Sequence, residues 1–180
     1  MHEHRFHGNL ERLRSPERLA RLEVERVVAL SLEGFAPGSV LDVGTGTGVF
    51  AEAFAARGWE VSGIDASPEM IAAVQGFVPQ GHFRQALAEE IPFPDGAFDL
   101  VFLGVVLHET DDRLKALKEA LRVAVQRVVV LEWPYRDEEH GPPLDERLRT
   151  ETVIKLARQA GFQEAEHIPL RDTDLYRLTP

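Results

Sequence analysis

The segment at residues 40–48, VLDVGTGTG, constrains the fold more than any other part of the chain. Its apolar first half predicts a short strand, and its three glycines predict a turn whose backbone can adopt positive φ and approach a ligand closely. A helix predicted from Val49 would present free backbone N–H groups to that turn. A strand, a glycine turn and a helix in this order are typical of the ligand-binding edge of an α/β sheet.

The rest of the chain continues the alternation of strands and helices, and one helix is predicted before it, over residues 15–32. Because the middle strands are continuous apolar runs, they predict a parallel sheet that is covered by helices on both faces. Ligands of such sheets bind beyond the carboxyl ends of the strands, so functional residues should directly follow strands. Besides the first, the predicted strands lie at residues 60–64, 82–86, 98–103, 127–131, 162–168 and 174–178.

Composition excludes several classes of function. The chain has 180 residues, of which 44% are apolar, and this suits a single globular domain. It has no cysteine, which excludes disulfides, thiolate metal sites and a cysteine nucleophile. Its formal net charge of −10 disfavours nucleic acid and anionic membranes as partners. No segment has the pattern of a signal peptide or of a membrane span, so we expect a cytoplasmic protein.

Two aspartates beside the glycine turn indicate the chemistry of its ligand. Asp65 ends the second predicted strand, where a carboxylate can accept hydrogen bonds from the 2′ and 3′ hydroxyls of a ribose. Asp42 precedes the first glycine by two residues, where it would repel a pyrophosphate and favour a cationic ligand with an amino group and a sulfonium. Val49 also puts the third glycine out of register for a dinucleotide fingerprint. An NAD(P)-dependent oxidoreductase is therefore the weaker alternative.

Residues 38–132 resemble the class I S-adenosylmethionine-dependent methyltransferases, specifically the small "type 11" methyltransferase domain. The resemblance implies an α/β three-layer sandwich with a mostly parallel, Rossmann-like seven-stranded sheet whose last strand is antiparallel. It implies one domain over residues 1–180, in which residues 1–34 cover the site and residues 38–132 bind the cofactor. Residues 133–180 would supply a substrate-side loop, a helix and the final two strands. The resemblance is carried by VLDVGTGTG at 40–48, Asp65, AEEIPF at 88–93, FDLV at 98–101 and LHE at 107–109.

The resemblance also implies the cofactor S-adenosyl-L-methionine, with S-adenosyl-L-homocysteine as its product. The glycine turn would hold the methionine part of the cofactor, Asp42 would orient the amino group and Asp65 would bind the ribose. Ala66 and Met70 would lie near the adenine. Leu87 stands where the family usually has an adenine-binding aspartate, so adenine recognition falls to the Ala88 backbone and Glu89. The cofactor residues predicted in this way are Asp42, Gly44, Thr45, Gly46, Thr47, Gly48, Asp65, Ala66, Met70, Ala88, Glu89, Leu103 and Gly104.

Methyl transfer from a sulfonium is an in-line displacement that depends mainly on proximity and alignment. A general base is needed only where the acceptor must lose a proton. His108 is the candidate base, because it follows the fourth predicted strand by five residues and a histidine titrates near neutral pH. The alternative is that His108 packs against or caps the next helix. Glu109 either orients His108 or caps the chain near Thr110 and Asp111.

The predicted acceptor pocket uses residues from two separate segments. Arg5 and Phe6 precede the first helix, and Trp133 and Tyr135 follow the fifth strand. The alternative for the second pair is a surface loop with incidental aromatic residues. Because the core leaves no inserted domain to recognise a macromolecule, the acceptor is expected to be a small molecule.

Several alternatives stay open from sequence alone. A non-catalytic module that binds S-adenosylmethionine or another adenosine ligand is the alternative to an enzyme, and Leu87 favours it slightly. His2, His4 and His7 have no Asp or Cys among them, so no metal site is expected. A monomer and a homodimer are equally compatible with the sequence.

Overall fold

The computed structural model describes residues 10–180. Its centre is a seven-stranded sheet with the strand order β3-β2-β1-β4-β5-β7-β6. The strands β1 to β5 pair in parallel, and β7 is antiparallel to both of its neighbours. The strands are β1 (Ser39–Val43), β2 (Glu60–Asp65), β3 (His82–Gln85), β4 (Phe98–Gly104), β5 (Ala124–Glu132), β6 (Glu164–Pro169) and β7 (Asp174–Thr179). The predicted fold class, including the antiparallel last strand, is confirmed.

Helices cover both faces of the sheet. One face packs against α3, α4 and α5, and the other packs against α6 and α7. Successive residues of the central strands point to opposite faces, as Leu100 and Val101 of β4 do, and both are fully buried. This double burial explains the continuous apolar runs in the sequence. The helices are α1 (Leu10–Leu13), α2 (Pro16–Leu22), α3 (Val24–Leu32), α4 (Val49–Ala55), α5 (Pro68–Phe77), α6 (Arg113–Val123) and α7 (Thr150–Ala160).

The strand order reverses its direction at β1, which lies between β2 and β4. At this switch point the connections leave toward opposite faces of the sheet and open a crevice at the carboxyl ends of the strands. The glycine turn follows β1, Asp65 ends β2 and the segment with His108 follows β4. The topology therefore brings the predicted functional segments to one edge.

The prediction of a single helix over residues 15–32 is wrong in one respect. Ser15 caps its start as expected, since its hydroxyl accepts from the Arg18 N–H at 3.3 Å. The helix is broken at Glu23, which adopts a left-handed conformation with φ of 43°. Leu22 of α2 and Val28 of α3 both pack in the core, and Leu22 also lines a cavity at the edge of the sheet.

Asp99 has a structural role at the start of β4. Its carboxylate accepts from the Ser39 N–H at 2.9 Å and from the Gln126 side chain at 3.0 Å. These contacts join three strands, as expected of a residue that supports local backbone hydrogen bonds. Among residues 10–180, none of the helices has both the length and the apolar character that crossing a bilayer requires.

Candidate active site

A cavity of about 610 Å³ opens at the carboxyl ends of the parallel strands. Its walls are formed by the segments that follow β1 to β5, together with α1 and α2. The volume is within the range of ~300–1,000 Å³ that small-molecule sites occupy. Of the residues predicted for the site, those that line the cavity are Gly44, Thr45, Gly46, Thr47, Asp65, Ala66, Met70, Ala88, Glu89, Gly104, His108, Glu109 and Trp133.

The glycine turn has one open position and two packed positions. A Cβ added at Gly44 would lie 2.4 Å from a methyl group of Val106, and one added at Gly48 would lie 2.4 Å from a methyl group of Val74. At Gly46, which has φ of 54°, an added Cβ would meet nothing within 4 Å. Gly46 therefore presents bare backbone to the cavity, where a ligand can approach it closely.

Asp65 joins the glycine turn to the start of α5. One carboxylate oxygen accepts from the Gly46 N–H at 2.9 Å, and the other accepts from the Ser67 N–H at 2.8 Å. Asp65 also lines the cavity, so the residue that bridges the turn and α5 faces the site as well. The side chain is thus fixed in place before any ligand arrives.

Three predicted cofactor residues lie behind the cavity wall. Asp42 is buried beneath the turn and accepts from the Thr45 hydroxyl at 2.7 Å, so it acts on the cavity through Thr45. Gly48 caps α4 in a left-handed conformation and faces Val74. Leu103 points into the core. None of the three lines the cavity, because Asp42 and Leu103 point from their strands into the buried faces of the sheet and Gly48 packs against Val74.

Burial raises the pKa of Asp42 to about 7, because a charged carboxylate loses its hydration there. The Thr45 hydroxyl opposes this shift, and the nearby charge of Asp65 adds to it. The group is thus half-protonated near neutral pH in the folded chain.

Asp42→Asn is expected to raise the free energy of unfolding at alkaline pH by up to about 4 kcal/mol. The pKa of Asp42 is about 7 in the folded protein against an ordinary value of 3.8, so the unfolded chain releases this proton first as pH rises. The wild type is therefore destabilised progressively from about pH 4 to about pH 7, and the penalty persists above that range. Asparagine carries no charge, and its side-chain oxygen still accepts from Thr45.

Urea denaturation from about pH 4 to about pH 8 measures this difference. Asp99→Asn is the matched control, and it should change the free energy of unfolding in the opposite direction. The Ser39 N–H and the Gln126 side chain lower the pKa of Asp99, so its neutralisation is expected to cost stability at neutral pH. A stability difference between wild type and Asp42→Asn that stays constant with pH would contradict the burial of this charge.

Glu89 stabilises the loop before α6 through hydrogen bonds to its backbone. Its Oε1 accepts from the N–H of Asp111 at 2.8 Å and from the N–H of Asp112 at 3.3 Å. This is the capping role that the sequence suggested for Glu109. Glu89, Ala88 and the exposed Leu87 line the same wall of the cavity, on the side of Ala66 and Met70.

A buried histidine–glutamate pair lies where β4 and β5 end. Nδ1 of His108 is 2.8 Å from Oε2 of Glu132, and the His108 N–H donates to Oε1 of Glu132 at 3.0 Å. His108 is 8% exposed and Glu132 is 1% exposed. Because an ionised carboxylate only accepts hydrogen bonds, this contact places a proton on Nδ1 and leaves Nε2 as the basic nitrogen.

The backbone before His108 turns sharply. Val105 has φ of 52°, which is unusual for a β-branched residue, and its N–H donates to the Leu131 carbonyl at 2.7 Å. The following short 3₁₀ helix, Leu107–Glu109, places His108 against the end of β5. A conformation held against its intrinsic preference is common at functional sites.

The pKa of His108 is raised above its ordinary value. Burial opposes the charged form, but the charge of Glu132 and its hydrogen bond outweigh burial, with smaller contributions from Glu109 and Glu146. Oε1 of Glu109 is 3.7 Å from Nε2 of His108. The imidazole therefore binds a proton more tightly than a free histidine does.

The remaining wall is formed by α1, α2 and the loop after β5. Arg18 of α2 lies 5.8 Å from the ring of Trp133, and both line the cavity. Tyr135 does not line it: the ring is partly exposed and lies 3.9 Å from the Arg149 guanidinium, which corrects the sequence prediction. Arg5 and Phe6 lie outside the residues that the structure describes.

Sequence reasoning missed several residues of this site, among them Glu132 and Arg18. Glu132 is the last residue of β5, so the rule that functional residues end or follow strands could have found it. Arg18 carried no signal of its own, because a charged residue on an amphipathic helix usually faces solvent.

The fold and the site together define an α/β protein of the Rossmann-like class, with a cavity at the carboxyl ends of its parallel strands. The chain belongs to the methyltransferase domain family, since a sequence model described as "Methyltransferase domain" matches residues 41–130. The resemblance that the glycine turn, Asp65 and the LHE segment indicated is thereby confirmed.

Individual relatives agree with this family. The uncharacterized methyltransferase YcgJ of Bacillus subtilis is 34% identical over 126 residues, which are 67% of this chain and 50% of that protein. A demethylmenaquinone methyltransferase of Thermus thermophilus is 41% identical over 117 residues, 61% of this chain and 53% of that protein. The chain thus spans about half the length of these curated relatives. Among solved structures, an S-adenosylmethionine-dependent methyltransferase from Aquifex aeolicus superposes with a TM-score of 0.84 at 25% identity, covering 94% of this chain and 95% of that one.

Proposed function

We propose that this chain transfers a methyl group from S-adenosyl-L-methionine to a small-molecule acceptor. One observation carries the proposal: a single cavity joins the open backbone at Gly46 and the carboxylate of Asp65 to the His108–Glu132 pair. A nucleoside site alone would not need a buried, oriented imidazole in its lining.

The residues present fit S-adenosylmethionine. The open face at Gly46 suits close approach of the methionine part, and Asp65 suits the ribose hydroxyls. Ala66, Met70 and the Ala88 backbone would enclose the adenine. When bound, the cofactor supplies an electrophilic methyl group on a positively charged sulfur. A positive charge at the turn would favour the ionised form of Asp42 behind it.

His108 would take the proton that the acceptor loses. Glu132 holds the ring by Nδ1, so Nε2 is the nitrogen able to accept a proton at the cavity side. Glu132 also stabilises the imidazolium that results, as the raised pKa of His108 indicates. Glu132 is thus a positioning residue for His108.

The acceptor is best matched by a small molecule with an ionisable hydroxyl or acidic carbon. Such an acceptor needs a base, which explains the His108–Glu132 pair. The Thermus relative is named for demethylmenaquinone, and this supports a small organic acceptor. The net charge of −10 argues against nucleic acid as the acceptor.

Calorimetry with S-adenosylmethionine and S-adenosylhomocysteine, followed by a methyl-donor consumption assay over an acceptor panel, tests the proposal. We expect both ligands to bind and at least one acceptor to be turned over. Binding without turnover across the panel would favour a non-catalytic binding module. Binding of NADH in place of either ligand would favour an oxidoreductase.

Glu132→Gln is expected to move the acidic limb of the pH profile of kcat/KM to lower pH. Glutamine removes the charge that raises the pKa of His108 but keeps an oxygen that accepts from Nδ1. The rate at the plateau should also fall roughly 10-fold, a fraction of the ~100- to 10,000-fold that a general base supplies. Profiles of both proteins with one acceptor measure the shift.

Glu109→Gln serves as the comparison for this variant. Glu109 raises the pKa of His108 less than Glu132 does, so its replacement should move the limb in the same direction by a smaller amount. An acidic limb that does not move in Glu132→Gln would show that His108 is not the titrating group.

A further inference from the structure

Arg147 is a buried arginine that no sequence pattern singled out. The residue is 4% exposed and lies three positions before α7 begins. Nε donates to the carbonyl of Pro142 at 2.9 Å, and Nη1 donates to the carbonyl of Pro134 at 3.0 Å. Nη2 donates to the carbonyl of His140, and Nη1 also donates to a carboxylate oxygen of Glu138 at 3.1 Å. One guanidinium thus holds four acceptors of a single loop.

That loop is a wall of the cavity. Gly141, Pro142 and Pro143 line the cavity together with Trp133. Gly141 has φ of 81°, and a Cβ added there would lie 2.9 Å from Cδ2 of Trp133 and 3.2 Å from Nη2 of Arg147. The space between the indole and the guanidinium is therefore filled by the Gly141 backbone, with no room for a methyl group.

The loop has no regular secondary structure, and Arg136 adds a smaller set of hydrogen bonds: its N–H donates to the Pro134 carbonyl at 2.8 Å, and its side chain donates to Glu138 and to the Arg171 carbonyl. Residues 133–143 form neither helix nor strand. Pro134, Pro142 and Pro143 have no N–H to donate, and carbonyl oxygens in an irregular segment need donors from elsewhere. The planar guanidinium carries five N–H donors in a rigid arrangement, which suits it to fix several carbonyls at once.

We propose that Arg147 is a positioning residue that fixes the acceptor wall, residues 133–143, and thereby sets which acceptors the cavity takes. Arg147 does not itself line the cavity, so it acts through Gly141 and Trp133. The effect on acceptors rests on the proposed methyl transfer. The effect on the shape of the acceptor wall does not, and it can be measured without any acceptor.

Trp133 is a spectroscopic reporter of the acceptor wall. The chain has two tryptophans, and the other is Trp59, in the core beside α4. A Trp59→Phe background leaves Trp133 as the single fluorophore. Acrylamide quenching of this background then reports how well the wall covers the indole.

Arg147→Met in this background is expected to raise the quenching constant at least about threefold. Arg147→Lys should give a constant between those of wild type and Arg147→Met. The matched control is Arg122→Met. Arg122 likewise donates to two loop carbonyls, those of Ile91 and Phe93, but neither of these residues lines the cavity. The control should leave the quenching of Trp133 unchanged.

A second variant keeps the test decisive if Arg147→Met does not fold. Gly141→Ala retains the arginine but forces a methyl group against Trp133 at a positive φ, so it should raise the quenching constant as well. If Gly141→Ala and the folded arginine variants, Arg147→Lys included, all leave Trp133 as protected as in wild type, the proposal is overturned.

The acceptor arm uses an acceptor that wild type methylates in the panel described above. Arg147→Lys and Arg147→Met should raise its KM about tenfold, change kcat little and leave the affinity for S-adenosylhomocysteine unchanged. Equal losses in KM and in that affinity would contradict the assignment. If wild type methylates nothing, the proposed function fails, whereas the quenching measurement still decides whether Arg147 fixes the acceptor wall.

Discussion

Replacing His108 with alanine is expected to lower methyl transfer about 100- to 10,000-fold while leaving the affinity for S-adenosylhomocysteine unchanged. The size follows from removal of the imidazole proposed as the base, whose Nδ1 is held by Glu132 at 2.8 Å. Steady-state kinetics of donor consumption and calorimetry of product binding separate the two effects.

His167→Ala is the matched control for this experiment. His167 is also paired with a carboxylate, since its Nε2 is 2.8 Å from Oδ1 of Asp174, but it lies on β6 away from the cavity. Its loss should leave turnover unchanged. Turnover at the wild-type rate in His108→Ala would reduce His108 to a packing residue and remove the base from the proposed mechanism.

Asp65→Ala is expected to weaken binding of S-adenosylhomocysteine by roughly 1–3 kcal/mol, or about 5- to 150-fold. The alanine would leave ribose hydroxyls without their acceptor and would free the N–H groups of Gly46 and Ser67, which shape the turn and the start of α5. Isothermal titration calorimetry measures the loss.

Asp99→Ala controls for the removal of a carboxylate that bridges backbone elements. Asp99 accepts from the Ser39 N–H much as Asp65 accepts from Gly46, but it does not line the cavity. It should cost stability and leave ligand affinity unchanged. Wild-type affinity in Asp65→Ala would exclude Asp65 from the cofactor site.

The two halves of the cavity differ in how far a sequence could predict them. The half with Gly46 and Asp65 follows from short segments, because a glycine turn and the residue that ends a strand are defined by their immediate neighbours. In the other half, His108 was predicted only because it follows a strand. Its partner Glu132 is 24 positions away and reaches it because β4 and β5 are adjacent.

The direction of side chains in loops was even harder to predict from the sequence. Trp133 and Tyr135 were predicted to face the cavity together, but only Trp133 does, because an irregular loop has no period that sets the direction of its side chains. The break at Glu23 was also missed, since the apolar spacing continues through it.

The sequence by itself determined the order of strands and helices, the parallel sheet and the strand-turn-helix unit with its acidic partner at Asp65. These depend on periodicity, on turn-forming residues and on burial, which act over a few neighbouring positions. Only the tertiary structure decided that His108 meets Glu132, that Asp42 lies behind the turn and that Arg147 holds the loop beside Trp133. Such contacts depend on which distant segments the sheet order brings together, and no local pattern records that.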